Sequence, residues 1–288
     1  MIMRVVHEDV PNSRDHPHSG AGVICVLGDA HLDVIVAITG PVAPDTDTPA
    51  RIRMTVGGQG ANVTAWVTAL GGRSKLIAAQ AGDIAAALIA SDLTGRGVEV
   101  VGPVIGGHTG VVVSLSDGGS RRSMLTDRGA GPLLTAAAVQ PTWLDGCSWL
   151  HLPGYSLTSE PVQGAAIAAA AAARARSVRL SVDLSSTAAI TGFGRAAFAD
   201  LLAGLAPELI FGNRAETELI GDLPGAEVIT KLGADGVLVA GRHYPALTTK
   251  PTDSTGAGDA FAAGYLIGGV ELGLAAAARA VATMGAMP

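Results

Sequence analysis

Cysteine is almost missing from this chain. Cys25 and Cys147 are the only two in 288 residues, which excludes a disulfide framework and a cysteine-based metal site. Flanked by apolar neighbours, both read as buried packing residues. Charge is sparse as well: 15% of residues are charged, the formal net charge is −6 and the pI is about 5.6. That balance leaves no electrostatic footprint for nucleic acid or an acidic membrane, so any anion must be held by a local site. Residues 1–21 lack the apolar run of a signal peptide and read as a flexible polar tail, in which His7, His16 and His18 mark no metal site. The apolar stretch after residue 22 is interrupted by Asp29 and Asp33, so it is no membrane span, and a cytoplasmic location is expected.

Several catalytic signatures are also absent. There is no G-x-x-x-x-G-K-[ST], no complete G-x-G-x-x-G, no H-E-x-x-H and no G-x-S-x-G. A Walker-type ATPase and a dinucleotide dehydrogenase are thereby disfavoured. What remains is an alanine-rich chain, 48% hydrophobic and only 3% aromatic, long enough for one large α/β domain.

Short apolar runs at 23–29, 148–155, 178–186, 208–213, 226–230 and 236–240 read as buried strands. Helical spacing at 60–72, at 83–96, near 161–176 and through the last 35 residues alternates with them. That alternation predicts a mainly parallel sheet covered by helices on both faces, a three-layer α/β/α core. Segments 33–56 and 109–126 are strand-like without helices between them, and 109–126 turns at Asp117–Gly119. Arg51, Arg53, Ser114, Ser116, Arg121 and Ser123 interrupt their apolar pattern. They read as a small β-sheet lid inserted into one domain spanning 22–288.

Two helices open on glycine-rich stretches, "GGQGAN" at 57–62 and "STGAGDAF" at 254–261. Glycine is a poor residue for a helix start, by up to about 1 kcal/mol each relative to alanine. Bare backbone there exposes N–H groups at the positive end of the helix dipole, a cradle for an anion. A carboxylate, Asp259, stands directly behind the second cradle.

"GGQGANVTAWVTALGG" and "DSTGAGDAFAAGYL" resemble the two signature segments of the ribokinase-like (PfkB) carbohydrate kinases. "GDAHLD" at 28–33, "NRAE" at 213–216 and "KLGADG" at 231–236 follow the same family order, so the resemblance covers residues 23 to 285. It implies that Asp259 is the catalytic base and that the N–H groups of Gly256, Ala257 and Gly258 form an anion hole for the transferring phosphoryl. Asp33, with His31 nearby, would accept hydrogen bonds from substrate hydroxyls, and Gly57, Gly58 and Asn62 would complete the sugar site. Asn213 and Glu216 would organise Mg²⁺ through water, Lys231 and Gly233 would lie against ATP, and Asp183 would approach its phosphates. Asp253 matches a position associated with a monovalent cation, K⁺ in particular.

Some features depart from the family pattern. Lys231 stands where many relatives carry threonine, the 213–231 segment is short for a helix, and the chain after Asp259 is compact. "HLPGY" offers no acid where ribokinases carry a substrate-contacting glutamate, which brings a nucleoside such as pseudouridine into competition with free ribose. The resemblance implies ATP-dependent phosphorylation of a hydroxymethyl group on a sugar or nucleoside. A sugar- or nucleoside-binding regulator on a kinase scaffold and a pyrimidine-alcohol kinase are the alternatives; retention of Asp259 with Gly256 and Gly258 argues against the first, and the strand-like 109–126 segment against the second. The apolar lid positions Val34, Val36, Ile38, Val111, Val113 and Leu115 predict a lid-to-lid homodimer.

Overall fold

The computed structural model describes residues 22–116 and 122–288. His7, His16, His18, the turn at Asp117–Gly119 and Arg121 lie outside the described residues.

In chain order, β1 (Val23–Leu27) is followed by the antiparallel pair β2 (His31–Ile38) and β3 (Ala50–Gly57). Helix α1 (Gln59–Ala69), β4 (Arg73–Ile77), α2 (Ile84–Gly95) and β5 (Glu99–Val101) come next. A second antiparallel pair, β6 (Thr109–Ser116) and β7 (Arg122–Gly129), precedes β8 (Cys147–Pro153), α3 (Val162–Arg174) and β9 (Arg179–Asp183). Helices α4 (Thr187–Phe193) and α5 (Arg195–Leu205) lead to β10 (Leu209–Asn213), α6 (Arg214–Ile220) and β11 (Glu227–Lys231). The chain closes with β12 (Val237–Val239), β13 (Arg242–Tyr244) and α7 (Ala257–Val281).

The large sheet has nine strands in the order β13-β12-β11-β10-β9-β8-β1-β4-β5. From β5 to β11 every pairing is parallel, and β12 and β13 continue antiparallel at the edge. Strand alternation on β1 feeds two of the three buried clusters of the core. On β1, Cys25 and Leu27 join the cluster under α3 and α5, while Ile24 and Val26 join the cluster under α1 and α7. Both faces of a parallel strand are therefore buried, which is why these strands read as continuous apolar runs.

β2, β3, β6 and β7 form a separate four-stranded sheet in the order β3-β2-β6-β7. Its centre is a parallel β2–β6 pair that joins two distant stretches of chain. Asp83 fastens this sheet to the body: its carboxylate caps α2 at Ala86 N (2.9 Å) and accepts from Thr109 N (2.8 Å) and Thr109 Oγ1 (2.5 Å).

Three features differ from the sequence reading. Cys25 and Cys147 do not pack as separate thiols; they are joined as a disulfide across neighbouring strands β1 and β8. A register shift after Val23 brings their Cα atoms to 6.2 Å, across 122 residues of sequence. The Thr187–Leu205 segment is helical but bent by 98° at Gly194, so neither half carries a long periodic signal. The last 35 residues are not one helix: α7 is kinked at Gly268–Gly269 and stops at Val281. Although α7 is long and apolar enough to cross a membrane, its most apolar stretch is mostly buried in the protein's own core, and the helix packs against α1.

Beyond α7 the chain returns to the body. Trp66 Nε1 donates to Ala286 O (2.8 Å), Gly285 N to Asp253 Oδ2 (3.0 Å) and Arg96 Nη1 to Pro288 O (2.9 Å). Trp66 is fully buried, and Arg279 lies over its ring at 5.3 Å. Trp66→Phe should therefore lower stability by about 1–3 kcal/mol, the cost of leaving a buried carbonyl unpaired. Denaturant unfolding measures it, and an unchanged midpoint would show that the tail does not depend on this bond.

Candidate active site

A parallel sheet presents the C-terminal ends of its strands along one edge, the usual location of ligand sites in open α/β folds. Asp29 follows β1, Asp183 ends β9, Asn213 ends β10 and Lys231 ends β11. The N-termini of α1 and α7 converge on the same edge.

Both helices open on a left-handed glycine without a side-chain cap: Gly58 (φ 100°) before α1 and Gly256 (φ 75°) before α7. Neither site has room for a Cβ. At Gly58 it would lie 2.5 Å from the Asp29 carbonyl oxygen, and at Gly256 2.6 Å from Ala286 Cα. Gly258 faces Lys231, whose Nζ would be 3.1 Å from a Cβ there. The Ala257 amide is turned back to the Ser254 carbonyl at 3.3 Å, so the first turn presents Gly256 and Gly258 more openly than Ala257.

Asp259 lies in that first turn and meets α1 through Asn62, whose Nδ2 donates to Asp259 Oδ2 at 2.7 Å. Burial pushes the Asp259 carboxyl up to about 7, and the negative Asp183 adds to the rise; the Asn62 and Gln59 hydrogen bonds and Lys231 oppose it. Lys231 Nζ donates to Asp183 Oδ2 at 2.6 Å, and Asp183 Oδ1 accepts from Ser185 N at 2.9 Å. Burial alone would lower Lys231, but the charge and hydrogen bond of Asp183, with the nearby Asp259 and Glu216, together outweigh it and hold the ammonium above its ordinary value. Asp183 thus pairs with Lys231, while Gly233 lines the adjoining cavity.

Asn213 and Glu216 form a reciprocal cap on α6. Glu216 N donates to Asn213 Oδ1 (3.0 Å), while Asn213 N and Nδ2 donate to the two Glu216 carboxylate oxygens (2.8 and 2.7 Å). Burial raises the Glu216 carboxyl above the usual range. Asp253 is similarly committed: Thr255 N and Oγ1 reach Oδ1 at 2.9 and 2.6 Å, and Gly285 N reaches Oδ2. Among the described residues, no group of three or more His, Cys, Asp or Glu side chains is arranged to hold a metal ion directly.

On the other side of α1, Asp33 fills the space that a side chain at Gly57 would need. His31 Nε2 is 3.0 Å from Asp33 Oδ1 but off the hydrogen-bonding direction, so that oxygen keeps no hydrogen bond. Asp29 Oδ1 and Asn62 Oδ1 are also buried without a partner. Three acceptors lacking donors therefore flank the start of α1.

A cavity of about 510 Å³ opens beyond Gly258 and Lys231, walled mainly by apolar groups such as Leu247, Phe261, Leu274 and Val281. Its volume and apolar walls suit a nucleoside-sized group. With Lys231 and the α7 N-terminus at its inner end, the lining also suits attached phosphates.

Two participants escaped the sequence reading. Gln59 hydrogen-bonds Asp259, and its Oε1 accepts from Ser185 Oγ at 2.5 Å; its place inside "GGQGAN" was the available signal. Arg128 donates to Asp29 Oδ2 through Nε (2.9 Å) and Nη2 (2.6 Å), with no sequence signal beyond its charge.

Two helices that open on glycine thus meet, through Asn62 and Asp259, at the C-terminal edge of the sheet. Residues 22–287 match the model of the pfkB family of carbohydrate kinases. The chain is 31% identical over 255 residues to an ATP-dependent ribose-1-phosphate kinase of Halopiger xanaduensis, covering 85% of this chain and 84% of that protein. It is 29% identical over 279 residues to a fructokinase of Escherichia coli, at 87% and 85% coverage. Among solved structures, the adenosine kinase of Sinorhizobium meliloti superposes with a TM-score of 0.81 at 21% identity, covering 93% of this chain and 96% of that one. An Escherichia coli protein described as a ribokinase II, solved with ATP and Mg²⁺, gives 0.79 at 21% identity, with 92% and 94% coverage. The chain belongs to the pfkB family of carbohydrate kinases, phosphotransferases with an alcohol acceptor, and has the ribokinase-like fold.

The elevated Asp259 carboxyl has a consequence for stability. Its folded value of about 7 lies above the ordinary 3.8, so the native state binds the proton more tightly than the unfolded chain. The resulting stabilisation is full below pH 3.8 and is lost as pH rises through 7. Asp259→Asn should therefore raise the melting temperature more at pH 8 than at pH 5, as calorimetry at the two pH values would measure. Equal shifts would mean that Asp259 is not desolvated.

Proposed function

We propose that this protein transfers the γ-phosphoryl group of ATP to a hydroxymethyl group of a sugar or nucleoside. One observation carries the reading: three buried acceptors without donors, Asp29 Oδ1, Asp33 Oδ1 and Asn62 Oδ1, beside the elevated carboxylate Asp259. Unsatisfied acceptors call for donors, and a polyol supplies several.

In this reading Asp33 and Asn62 hold substrate hydroxyls, with His31, Gly57 and Gly58 shaping the pocket. Asp259 accepts the proton of the attacking hydroxyl, and the amides of Gly256 and Gly258, with Lys231, face the transferring phosphoryl. Ala257 contributes less than the motif implied, because its amide is turned toward Ser254. Mg²⁺ supplies neutralisation of phosphate charge when bound; with both Glu216 oxygens taken by Asn213, that pair would reach it through water. Asp253 has no carboxylate oxygen without a donor, so a K⁺ ion near it would have to share them or rely on carbonyls. The small sheet acts as a lid that excludes water from the transfer, and 22–288 is one kinase domain. A cytoplasmic location, where ATP is at hand, fits this reading.

A coupled ADP-release assay over D-fructose, D-ribose, ribose 1-phosphate, adenosine and pseudouridine tests the activity. At least one acceptor should drive ADP release in wild type, and Asp259→Asn should lose about 10²–10⁴-fold in kcat. Release that never depends on an acceptor would leave the regulator reading. Asp33→Ala should raise the acceptor KM by roughly 10- to 100-fold, the size of a charge-assisted hydrogen bond, with ATP affinity preserved. Equal loss of ATP binding would reduce Asp33 to a structural role.

The lid also supports a homodimer. Register places Met54, Val34, Val113 and Leu125 in one row, with Ile52, Val36 and Leu115 in the next, on the face opposite Asp33. Met54, Ile52 and Leu125 are each more than 60% exposed, and a second lid sheet would cover them. Ile38, by contrast, is buried within the protein. Light scattering at micromolar concentration should give a dimer mass for wild type and a monomer for Leu125→Asp; a monomeric wild type would reject the interface.

A further inference from the structure

Asp29 belongs to no role assigned above except as an acceptor without a donor. It stands immediately beyond the end of β1, and its backbone carbonyl accepts from Ala61 N (3.1 Å) in the first turn of α1, beside Asn62. One carboxylate oxygen, Oδ2, is clamped by Arg128 from two nitrogens. The other, Oδ1, is buried without any hydrogen-bond partner. Gly131 passes so close that a Cβ there would lie 3.1 Å from Oδ1, so the chain leaves this oxygen its space.

Arg128 is held as firmly as Asp29. It lies near the end of lid strand β7, its guanidinium carbon is 5.6 Å from the Tyr155 ring centroid, and Nη1 is 3.5 Å from Ser159 Oγ. The two paired side chains are only 26% and 13% exposed. Two donors on Oδ2, with Gly131 against Oδ1, limit how this carboxylate can turn and so bias where the free lone pairs of Oδ1 point. Leaving such an oxygen unpaired costs free energy, which a ligand hydroxyl would recover.

We infer that Asp29 is a further acceptor-binding residue, its Oδ1 taking a hydrogen bond from one substrate hydroxyl, and that Arg128 is the positioning residue that aims it. This rests on the sugar-site reading and refines it. Because Arg128 belongs to the lid, a lid displaced from the body releases Asp29, and recognition of that hydroxyl is tied to lid position. Asp33 accepts from the lid side of the pocket and Asp29 from the body side, so the two carboxylates grip different hydroxyls.

Isothermal titration of D-ribose and D-fructose into the full chain, without nucleotide, reads the site directly. The tighter sugar and its monodeoxy analogues are then compared on wild type, Asp29→Asn and Arg128→Lys. Asp29→Asn should weaken the parent sugar by roughly 10- to 100-fold, the size of one charge-assisted hydrogen bond. One deoxy analogue should lose that much on wild type and little more on the variant, the signature of a hydroxyl paired with this residue. Arg128→Lys, which keeps the charge but not the two-pronged grip, should show a smaller loss confined to the same analogue. ATP affinity should stay unchanged in both variants. Equal losses across all analogues, additive losses, or failure of wild type to bind either sugar would overturn the assignment. Sugar that binds and responds in this way but is never phosphorylated would instead reject the kinase reading alone.

Discussion

One half-buried cation sets the conditions at the cleft. Lys231 ends its strand among Asp183, Glu216 and Asp259, three acids that would otherwise confront one another in a desolvated pocket. Its contact with Asp183 is short and nearly dry, with Asp183 2% exposed, and it leaves the ammonium beside Gly258, where a side chain would crowd it. Breaking a buried pair by removing one partner is strongly destabilising, because the other charge remains. The sheet edge, the bare start of α7 and the elevated carboxyl of Asp259 are all arranged around this charge.

The same economy governs the glycines. Gly58 and Gly256 open two helices at positive φ, each pressed against backbone from another part of the chain. A conventional Ser or Asp cap would satisfy the first amides internally. Glycine makes no such side-chain cap and lets neighbouring chain approach closely, with Ala61 N meeting the Asp29 carbonyl and Ala257 N the Ser254 carbonyl, so what looks like a poor helix start in isolation becomes a close-fitting wall when the fold is complete.

Elements whose determinants are local were legible in sequence. The apolar runs that became β1, β8 and β9, the spacing of α1, and the clustered glycines all carry their signal within about ten residues. The site's partnerships do not. Asn62 and Asp259 are 197 residues apart, and Arg128 and Asp29 are 99 apart. Nothing in the vicinity of an arginine on an exposed strand announces that it will clamp an aspartate at the end of β1. The cysteine pairing was hidden for the same reason, since only strand order makes β1 and β8 neighbours. The bent α4–α5 pair and the kinked α7 were obscured differently, by glycines that interrupt periodicity without ending the helical path.

The lid sheet is assembled from two excursions that leave the body at different points, one after β1 and one after β5, and they meet only through the parallel pairing of β2 with β6. Neither hairpin has a partner for its inner edge until the large sheet has placed both of its roots, so loop closure must precede any reward from those contacts. The small sheet is therefore held together by contacts between distant stretches of chain. Its outer face carries the exposed Ile52, Met54 and Leu125, so within one chain it buries less of its apolar surface than the large sheet does. The core cluster beneath α7 draws no side chain from the small sheet, so the packing that places Asp259 is built without it.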